Sequence, residues 1–222
     1  MAPPEPLPPG LPATFPWEDC EQICLEFDAL QEAPSHGMAS RAQFQSGVWC
    51  LVPPLVLSLG QPEPDLTAWI PKITYEPGLQ VVICLQAGAT SLGLFEAGAV
   101  VRTKTIKRYV VRGKGRAQPT HLNTKGKSRY GSRLRLQNAK AILEETSEKL
   151  RDWWEEYGEP EVVFYNAPVR LWADLMRAQP AVPFEEIPLV KIPLDLPKPT
   201  TDVLLRAYRS LCYGQIRLVE QP

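Results

Sequence analysis

A glycine-rich basic segment between Arg112 and Arg135 contains the side chains best suited to bind a polyanion. Gly113 and Gly115 carry no β-carbon, so the backbone there could approach a ligand closely. Lysine and arginine donate charge-assisted hydrogen bonds to phosphate, and a tyrosine offers a flat face on which a base can stack. The candidate nucleic-acid-binding residues are Arg112, Lys114, Arg116, Lys125, Lys127, Arg129, Tyr130, Arg133 and Arg135.

The charge of the chain is segregated around this segment. Residues 97–143 hold 13 of the 24 Lys and Arg residues and none of the 25 Asp and Glu residues, although the formal net charge is only −1. A solvated face normally mixes both signs, whereas an acid-free block is typical of a nucleic-acid contact. We therefore favour a nucleic-acid partner over the alternative, a basic loop that only faces solvent.

Conventional catalytic and metal-binding motifs are missing from the sequence. It has no Gly-x-Ser-x-Gly, P-loop or dinucleotide-binding pattern, and only two histidines, His36 and His121. Cys20 and Cys24 lie one helical turn apart, but without a second cysteine pair they indicate core packing rather than a metal site. His121 lies among cations, where contact with phosphate or solvent is more typical than general-base catalysis. We expect no metal and no cofactor.

Length and composition indicate a globular cytoplasmic protein. The 222 residues, 44% of them hydrophobic, allow one large domain or one domain with an extension. Five scattered cysteines are typical of reduced thiols rather than of a disulfide framework. The sequence contains neither 18 consecutive apolar residues nor the basic flank and apolar run of a secretory signal.

Proline-rich stretches predict three regions. Residues 1–16 contain seven prolines and are expected to form an extended, poorly ordered leader. Residues 17–65 form an accessory region, which ends at the break around Gln61-Pro-Glu-Pro64. Residues 66–222 form the main domain.

Within the accessory region, helical spacing of apolar residues predicts a helix from Trp17 to about Leu30. The apolar stretch Val48–Leu59 is interrupted by Pro53-Pro54, which removes two backbone donors. We therefore expect an edge strand or an ordered loop there rather than a central strand.

The main domain is predicted to be α/β, a mixed sheet with helices packed on its faces. Antiparallel strands come first, and helices and strands then alternate. The expected strands lie near 80–86, 90–96, 99–112, 161–165 and 184–191, and the expected helices cover 132–157, 169–178 and 200–211. The basic segment is then a long loop between a strand and the longest helix.

That longest helix is predicted to begin with Ser132 as N-cap and to end at Gly158. Its apolar stripe toward the sheet consists of Leu136, Leu143, Leu150 and Trp154. Arg133 and Arg135 would then lie in the first turn, against the favourable sign for the helix dipole. A phosphate bound at the helix N-terminus would explain that placement.

The segment also carries a family resemblance. Tyr109-Val-Val-Arg112, Gln118, Lys127-Ser128, Gly131-Ser132 and Leu134-Arg135 resemble the release-factor-like domain of the Vms-type peptidyl-tRNA hydrolases of ribosome quality control. That domain is similar to the middle domain of eukaryotic and archaeal peptide-chain release factors. The resemblance extends over about residues 79–215.

The resemblance implies an RNase H-like fold, a ribosome-associated hydrolase and Gln118 as the loop glutamine that enters the peptidyl-transferase centre. A neutral glutamine can orient water and donate to a developing oxyanion. The implied partners are the large ribosomal subunit with its RNA and peptidyl-tRNA, bound by a monomer. Gly115-Arg116-Ala117 precede Gln118 where relatives have Gly-Gly or Gly-Ser, and Pro119 follows it.

Two alternatives remain open. The same basic loop could serve only for docking, in a catalytically silent RNA- or ribosome-binding module. The chain could also be a nuclease that cuts near the tRNA 3′ end with assistance from His121 or the basic residues.

Overall fold

A computed structural model describes residues 7–29, 36–37, 43–57, 63, 65–73, 76–109 and 128–219, with the backbone alone at 36–37 and 128–132. These residues fall into two compact units. The first unit comprises residues 1–77 together with 208–222, and the second comprises residues 78–207. The domain boundary that the sequence predicts after residue 65 stays a prediction. The compact units divide between Pro77 and Gly78, and the C-terminal residues group with the N-terminal ones.

The first unit contains an antiparallel five-stranded sheet in the order β1-β10-β4-β3-β2. Its elements are β1 (Thr14–Pro16), α1 (Cys20–Ala29), β2 (His36–Gly37), β3 (Phe44–Ser46), β4 (Trp49–Val52), α2 (Leu66–Trp69) and β10 (Tyr213–Leu218). Short 3₁₀ helices cover Trp17–Asp19, Leu55–Leu57 and Ile70–Lys72. Phe15, Phe44, Leu51 and Leu66 are buried in its core.

Two expectations about this unit need correction. Thr14–Pro16, the last three residues of the expected poorly ordered leader, pair with β10 as a strand and Phe15 is buried, while residues 1–6 of that leader lie outside the described residues. β4 lies between β10 and β3, so it is an interior strand and not an edge strand or loop. The physical reason is that β4 ends at Val52, so Pro53 and Pro54 follow the strand and remove no donor from it.

The second unit contains the predicted mixed sheet, in the order β7-β6-β5-β8-β9. Its strands are β5 (Gln80–Gln86), β6 (Ala89–Glu96), β7 (Ala99–Lys107), β8 (Val162–Asn166) and β9 (Leu189–Lys191). β5, β6 and β7 are antiparallel neighbours, and β5, β8 and β9 are parallel. The mixed α/β prediction is confirmed, with β8 inside the sheet. The last strand is shorter than the predicted 184–191.

Helices lie on both faces of this sheet. On one face, α3 (Ser128–Tyr157) and α4 (Val169–Met176) bury Leu150, Trp153 and Leu175 against Ile83 and Leu92. On the other face, Leu204 of α5 (Thr201–Leu211) packs over Gly93. A β-carbon on Gly93 would lie 2.5 Å from the Phe95 ring and 2.8 Å from the Leu204 side chain, so a larger residue there would force these side chains to shift.

The longest helix differs from its prediction at its N-terminal end. It begins at Ser128, so Ser132 is inside the helix and is not its N-cap. Leu143, Leu150 and Trp154 pack on the core as predicted, but Leu136 is 73% exposed. Between residues 133 and 141 no side chain of the helix is buried, because the sheet does not cover these turns.

Candidate nucleic-acid interface

The basic segment joins the sheet at the edge where four strands end. β7 runs in the same direction as β5 because each is antiparallel to β6, and β8 and β9 are parallel to β5. The carboxyl ends of β5, β7, β8 and β9 therefore lie at one edge of the sheet. In open α/β sheets this edge is the usual position of ligand sites. The chain leaves β7 here and enters α3 after residues 110–127, which we call the β7–α3 connection.

Most of the candidate residues lie in that connection. Gln118, His121 and the basic residues Arg112, Lys114, Arg116, Lys125 and Lys127 are outside the described residues. Arg129 and Tyr130 are in the first turn of α3, where the structure describes the backbone alone. Arg133 is exposed and Arg135 is half-buried. Because α3 begins at Ser128, both arginines follow the first turn, and the expected clash with the helix dipole does not arise.

The strand end that leads into the connection, Arg108 and Tyr109, is tied to the second unit by hydrogen bonds. The backbone N–H of Arg108 donates to the carbonyl of Gly88 at 3.0 Å, in the turn between β5 and β6. Its guanidinium Nη2 donates to Oε2 of Glu145 in α3 at 2.8 Å. The side-chain amide of Asn138 donates to the carbonyl of Tyr109 at 2.8 Å. The strand end and the helix are thus joined next to the connection.

A second cross-link joins β7 to α3 at the far end of the strand. Arg102 donates through Nε to the Tyr157 hydroxyl at 2.6 Å and through Nη2 to Glu156 at 3.4 Å. The Tyr157 hydroxyl and, to a smaller extent, the Glu156 carboxylate raise the pKa of Arg102. Glu156, near the end of α3, therefore pairs with a cation of β7.

Apart from the half-buried Arg135, the cations of the basic block whose side chains the structure describes form two groups. Arg102, Arg108 and Lys140 each pair with a glutamate of α3. Lys104, Lys107 and Arg133 are exposed and form no ion pair with any described residue. The second group has its charge available for phosphate. Sequence reasoning did not make this distinction, because the paired acids lie 37 and 54 residues along the chain from Arg108 and Arg102.

Apolar side chains are exposed beside these cations. Tyr109 is 57% exposed, Leu134 39% and Leu136 73%. Flat or apolar surface interleaved with cations suits contact with unstacked bases as well as with phosphates. Tyr109 and Leu136 were not among the nucleic-acid-binding candidates that the sequence predicted, and the structure adds them to that set.

A cavity of about 420 Å³ opens at the same sheet edge, by the ends of β5, β8 and β9. Its wall includes Lys191, Asp195 and the chain from Ile192 to Leu196. The amide of Asn166 donates to the Leu194 carbonyl at 2.7 Å, and that of Gln86 to the Leu196 carbonyl at 2.8 Å. These two bonds hold residues 194–196 beside the carboxyl ends of β8 and β5. Since neighbouring strands are ~4.8 Å apart, the end of β8 lies roughly 15 Å from the end of β7.

The described part of the chain shows neither a metal-binding cluster nor an exposed thiol. It contains no group of three or more His, Cys, Asp or Glu side chains that could hold a metal ion. Its five cysteines are all buried, and burial raises the pKa of Cys84 to about 12. No helix among these residues is both long and apolar enough to cross a membrane.

A mixed α/β domain with a basic connection between a strand and the longest helix is the architecture that the sequence resemblance to release-factor-like domains implies. Residues 80–219 match the model of a family described as the Bacteroidetes VLRF1 release factor, which is more than half of the chain. The chain belongs to this family. No curated protein matches the chain.

A solved structure supports the same fold. The chain is similar to the Vms1 mitochondrial localization core, with 12% sequence identity and a TM-score of 0.52 over 82% of this chain and 77% of that one. It also matches an archaeal translation termination factor, aRF1, at 15% identity over 51% of this chain and 30% of that one. The TM-score of that match, 0.32, is too low to establish a shared fold. The release-factor-like resemblance is confirmed, and family membership indicates a function in translation.

Proposed function

We propose that this protein is a ribosome-associated peptidyl-tRNA hydrolase that releases nascent chains from stalled ribosomes. The observation that carries the proposal is the position of the β7–α3 connection. In a chain of a release-factor family, the connection that contains Gln118 follows a strand end at the carboxyl edge of the sheet, and Arg108 and Tyr109 of that strand end are hydrogen-bonded to α3. A loop held in this way can present a side chain at a distance from its own domain.

Gln118 is the proposed catalytic residue. Its neutral amide orients the attacking water and donates a hydrogen bond to the oxyanion that develops on the ester carbonyl. An ester between peptide and tRNA is already activated, so positioning and exclusion of bulk water suffice for hydrolysis. Ribosomal RNA supplies the remaining surroundings, which explains how a chain without a catalytic triad in its sequence can act as a hydrolase.

The proposed partners are the RNA of the large ribosomal subunit and peptidyl-tRNA, and the proposed compartment is the cytoplasm. The phosphate contacts are assigned to the cations of the connection and of the first turns of α3, which are Arg112, Lys114, Arg116, Lys125, Lys127, Arg129, Arg133 and Arg135. Tyr130 is proposed to stack on a base. We propose that the protein acts as a monomer, with the RNase H-like main domain at residues 66–222 and with the 1–65 region contributing to recruitment.

One sequence feature favours a second candidate, a docking module without catalysis. Arg116 and Ala117 restrict the backbone directly before Gln118, where relatives of the resemblance have glycine or serine. The deciding experiment incubates the protein with stalled ribosome–nascent-chain complexes and examines the tRNA 3′ end. Free peptide with intact tRNA supports the hydrolase, shortened tRNA supports the nuclease alternative, and binding without release supports the docking module.

A further inference from the structure

We propose that Arg108, Glu145 and Asn138 form a brace that positions the β7–α3 connection for peptide release. This inference rests on the proposed function of that connection. The brace residues lie outside the connection and are assigned no contact with substrate, so they are positioning residues rather than catalytic ones.

On the strand side, the brace holds Arg108, which lies just before the connection begins. Arg108 is held twice, through its backbone N–H to Gly88 at 3.0 Å and through its guanidinium to Glu145 at 2.8 Å. The Gly88 carbonyl belongs to a tight turn in which that glycine has φ of 82°, a conformation that favours glycine. A fixed turn and a helix therefore hold the same arginine from two sides.

On the helix side, Asn138 holds the next residue. Its amide nitrogen donates to the Tyr109 carbonyl at 2.8 Å, and Tyr109 is the residue directly before the connection. Asn138 and Glu145 are seven residues apart, which is two helical turns, so they lie on one face of α3. A single helix face thus fixes two consecutive residues at the entrance to the connection.

This entrance matters because the proposed chemistry depends on position. A neutral glutamine accelerates hydrolysis by orienting water and an oxyanion, and a displacement of about 1 Å can cost on the order of a hundredfold in rate. Loss of these bonds releases Arg108 and Tyr109, the described residues directly before the connection, and so removes the anchor from which Gln118 is proposed to be positioned. The brace therefore acts on the rate of release rather than on attachment to the ribosome.

Charge pairing distinguishes Arg108 from the cations that are proposed to bind RNA. Arg108 lies in the acid-free block, yet Glu145 neutralises its charge at 2.8 Å. Nearby Lys107 is exposed and has no ion pair with a described residue. Replacing Arg108 should therefore leave the salt dependence of ribosome binding unchanged, which a phosphate ligand would not do.

The test is a charge-swap experiment with a matched control on the same two elements. Arg108→Glu, Glu145→Arg and the combined swap are compared with Arg102→Glu, Glu156→Arg and their combined swap. The control pair also joins β7 to α3, at 3.4 Å, but lies at the other end of the strand. Release is measured in single turnover with saturating protein on stalled complexes, and ribosome affinity is measured separately. Asn138→Ala is assayed in the same way.

A second readout needs no ribosome and judges the brace independently of the proposed function. Trypsin cleavage of the free protein is followed at Lys114, Arg116 and Lys125, within the connection. We expect Arg108→Glu and Glu145→Arg to release peptide about tenfold more slowly, with unchanged affinity and faster cleavage. The combined swap should restore both rates, and the Arg102–Glu156 variants should change neither.

Two results would overturn the brace. One is wild-type cleavage in Arg108→Glu and Glu145→Arg. The other is loss of ribosome affinity in Arg108→Glu that the combined swap does not restore, because the arginine would then contact RNA itself. Failure of the wild-type protein to release peptide would instead overturn the proposed function, and the cleavage data would still decide whether the brace holds the connection.

Discussion

Leu136 and Leu150 lie fourteen residues apart on α3 and point within about 40° of the same direction around the helix axis. Leu150 is fully buried on the sheet, whereas Leu136 is 73% exposed. The same residue type on nearly the same face thus has opposite environments. The difference arises because α3 packs on the core only from about Ile142 onward. No side chain between residues 133 and 141 is buried.

This contrast predicts unequal stability effects. Leu150→Ala should lower the free energy of unfolding by about 2–5 kcal/mol, because it removes a buried side chain and leaves a cavity. Leu136→Ala should change it by no more than about 0.5 kcal/mol, as at other exposed sites. Urea unfolding followed by circular dichroism measures both. Equal losses in the two variants would show that α3 is covered along its whole length.

The catalytic proposal predicts that Gln118→Ala separates release from binding. The rate of peptide release should fall on the order of a hundredfold or more, since a group that positions water and the oxyanion is lost. Ribosome affinity should be preserved, and the free energy of unfolding should change by less than about 0.5 kcal/mol. Single-turnover release and ribosome co-sedimentation provide the measurements.

His121→Ala is the matched control for that variant, because it truncates a second polar residue of the same connection. We expect a smaller loss of release rate. A dead His121→Ala protein together with a fully active Gln118→Ala protein would transfer the assignment to the nuclease alternative.

The binding proposal predicts a change in salt dependence. Each neutralised phosphate contact should reduce the slope of log affinity against log salt by about 0.7–0.9. Replacing Lys125, Lys127 and Arg129 together by glutamine should thus reduce it by roughly 2–2.7 and weaken ribosome binding at physiological salt. Arg102→Gln should leave the slope unchanged because Glu156 pairs with that arginine. An unaltered slope in the triple variant would mean that these cations only face solvent.

Burial of Cys84 predicts a loss of stability in alkaline solution. The buried thiol has its pKa raised to about 12, while an unfolded cysteine ionises near 8.5. The unfolded state therefore releases the proton first, and the contribution of this thiol is complete below about pH 8.5 and declines from there to about pH 12. The slope is at most about 1.4 kcal/mol per pH unit for this one group.

Denaturant unfolding between pH 7 and pH 10 tests this dependence. Wild-type protein should lose stability above pH 8.5 more steeply than Cys84→Ala, which lacks the group. Parallel pH profiles for the two proteins would contradict the assignment of the alkaline loss to Cys84.

The sequence by itself determined the elements of the second unit and their type. Alternating and continuous apolar runs are local patterns, and they predicted the strands that became β5, β6, β7 and β8. The acid-free basic block was equally visible, because charge counts need no partner. The position of Gln118 between a strand and the longest helix follows from the same element order, and its catalytic role stays a prediction.

Tertiary structure alone decided which distant elements pair and which charges are neutralised. β1 pairs with β10 through contacts such as that of Phe15 with Gly214, where a β-carbon would lie 2.3 Å from the phenyl ring. Likewise, the pairing of Arg108 with Glu145 depends on how β7 and α3 run past each other. Such partners are far apart along the chain, and no local propensity specifies them. Their selection depends on the packing of whole elements, which is why Arg108 counted as one more cation of the block until its partner was known.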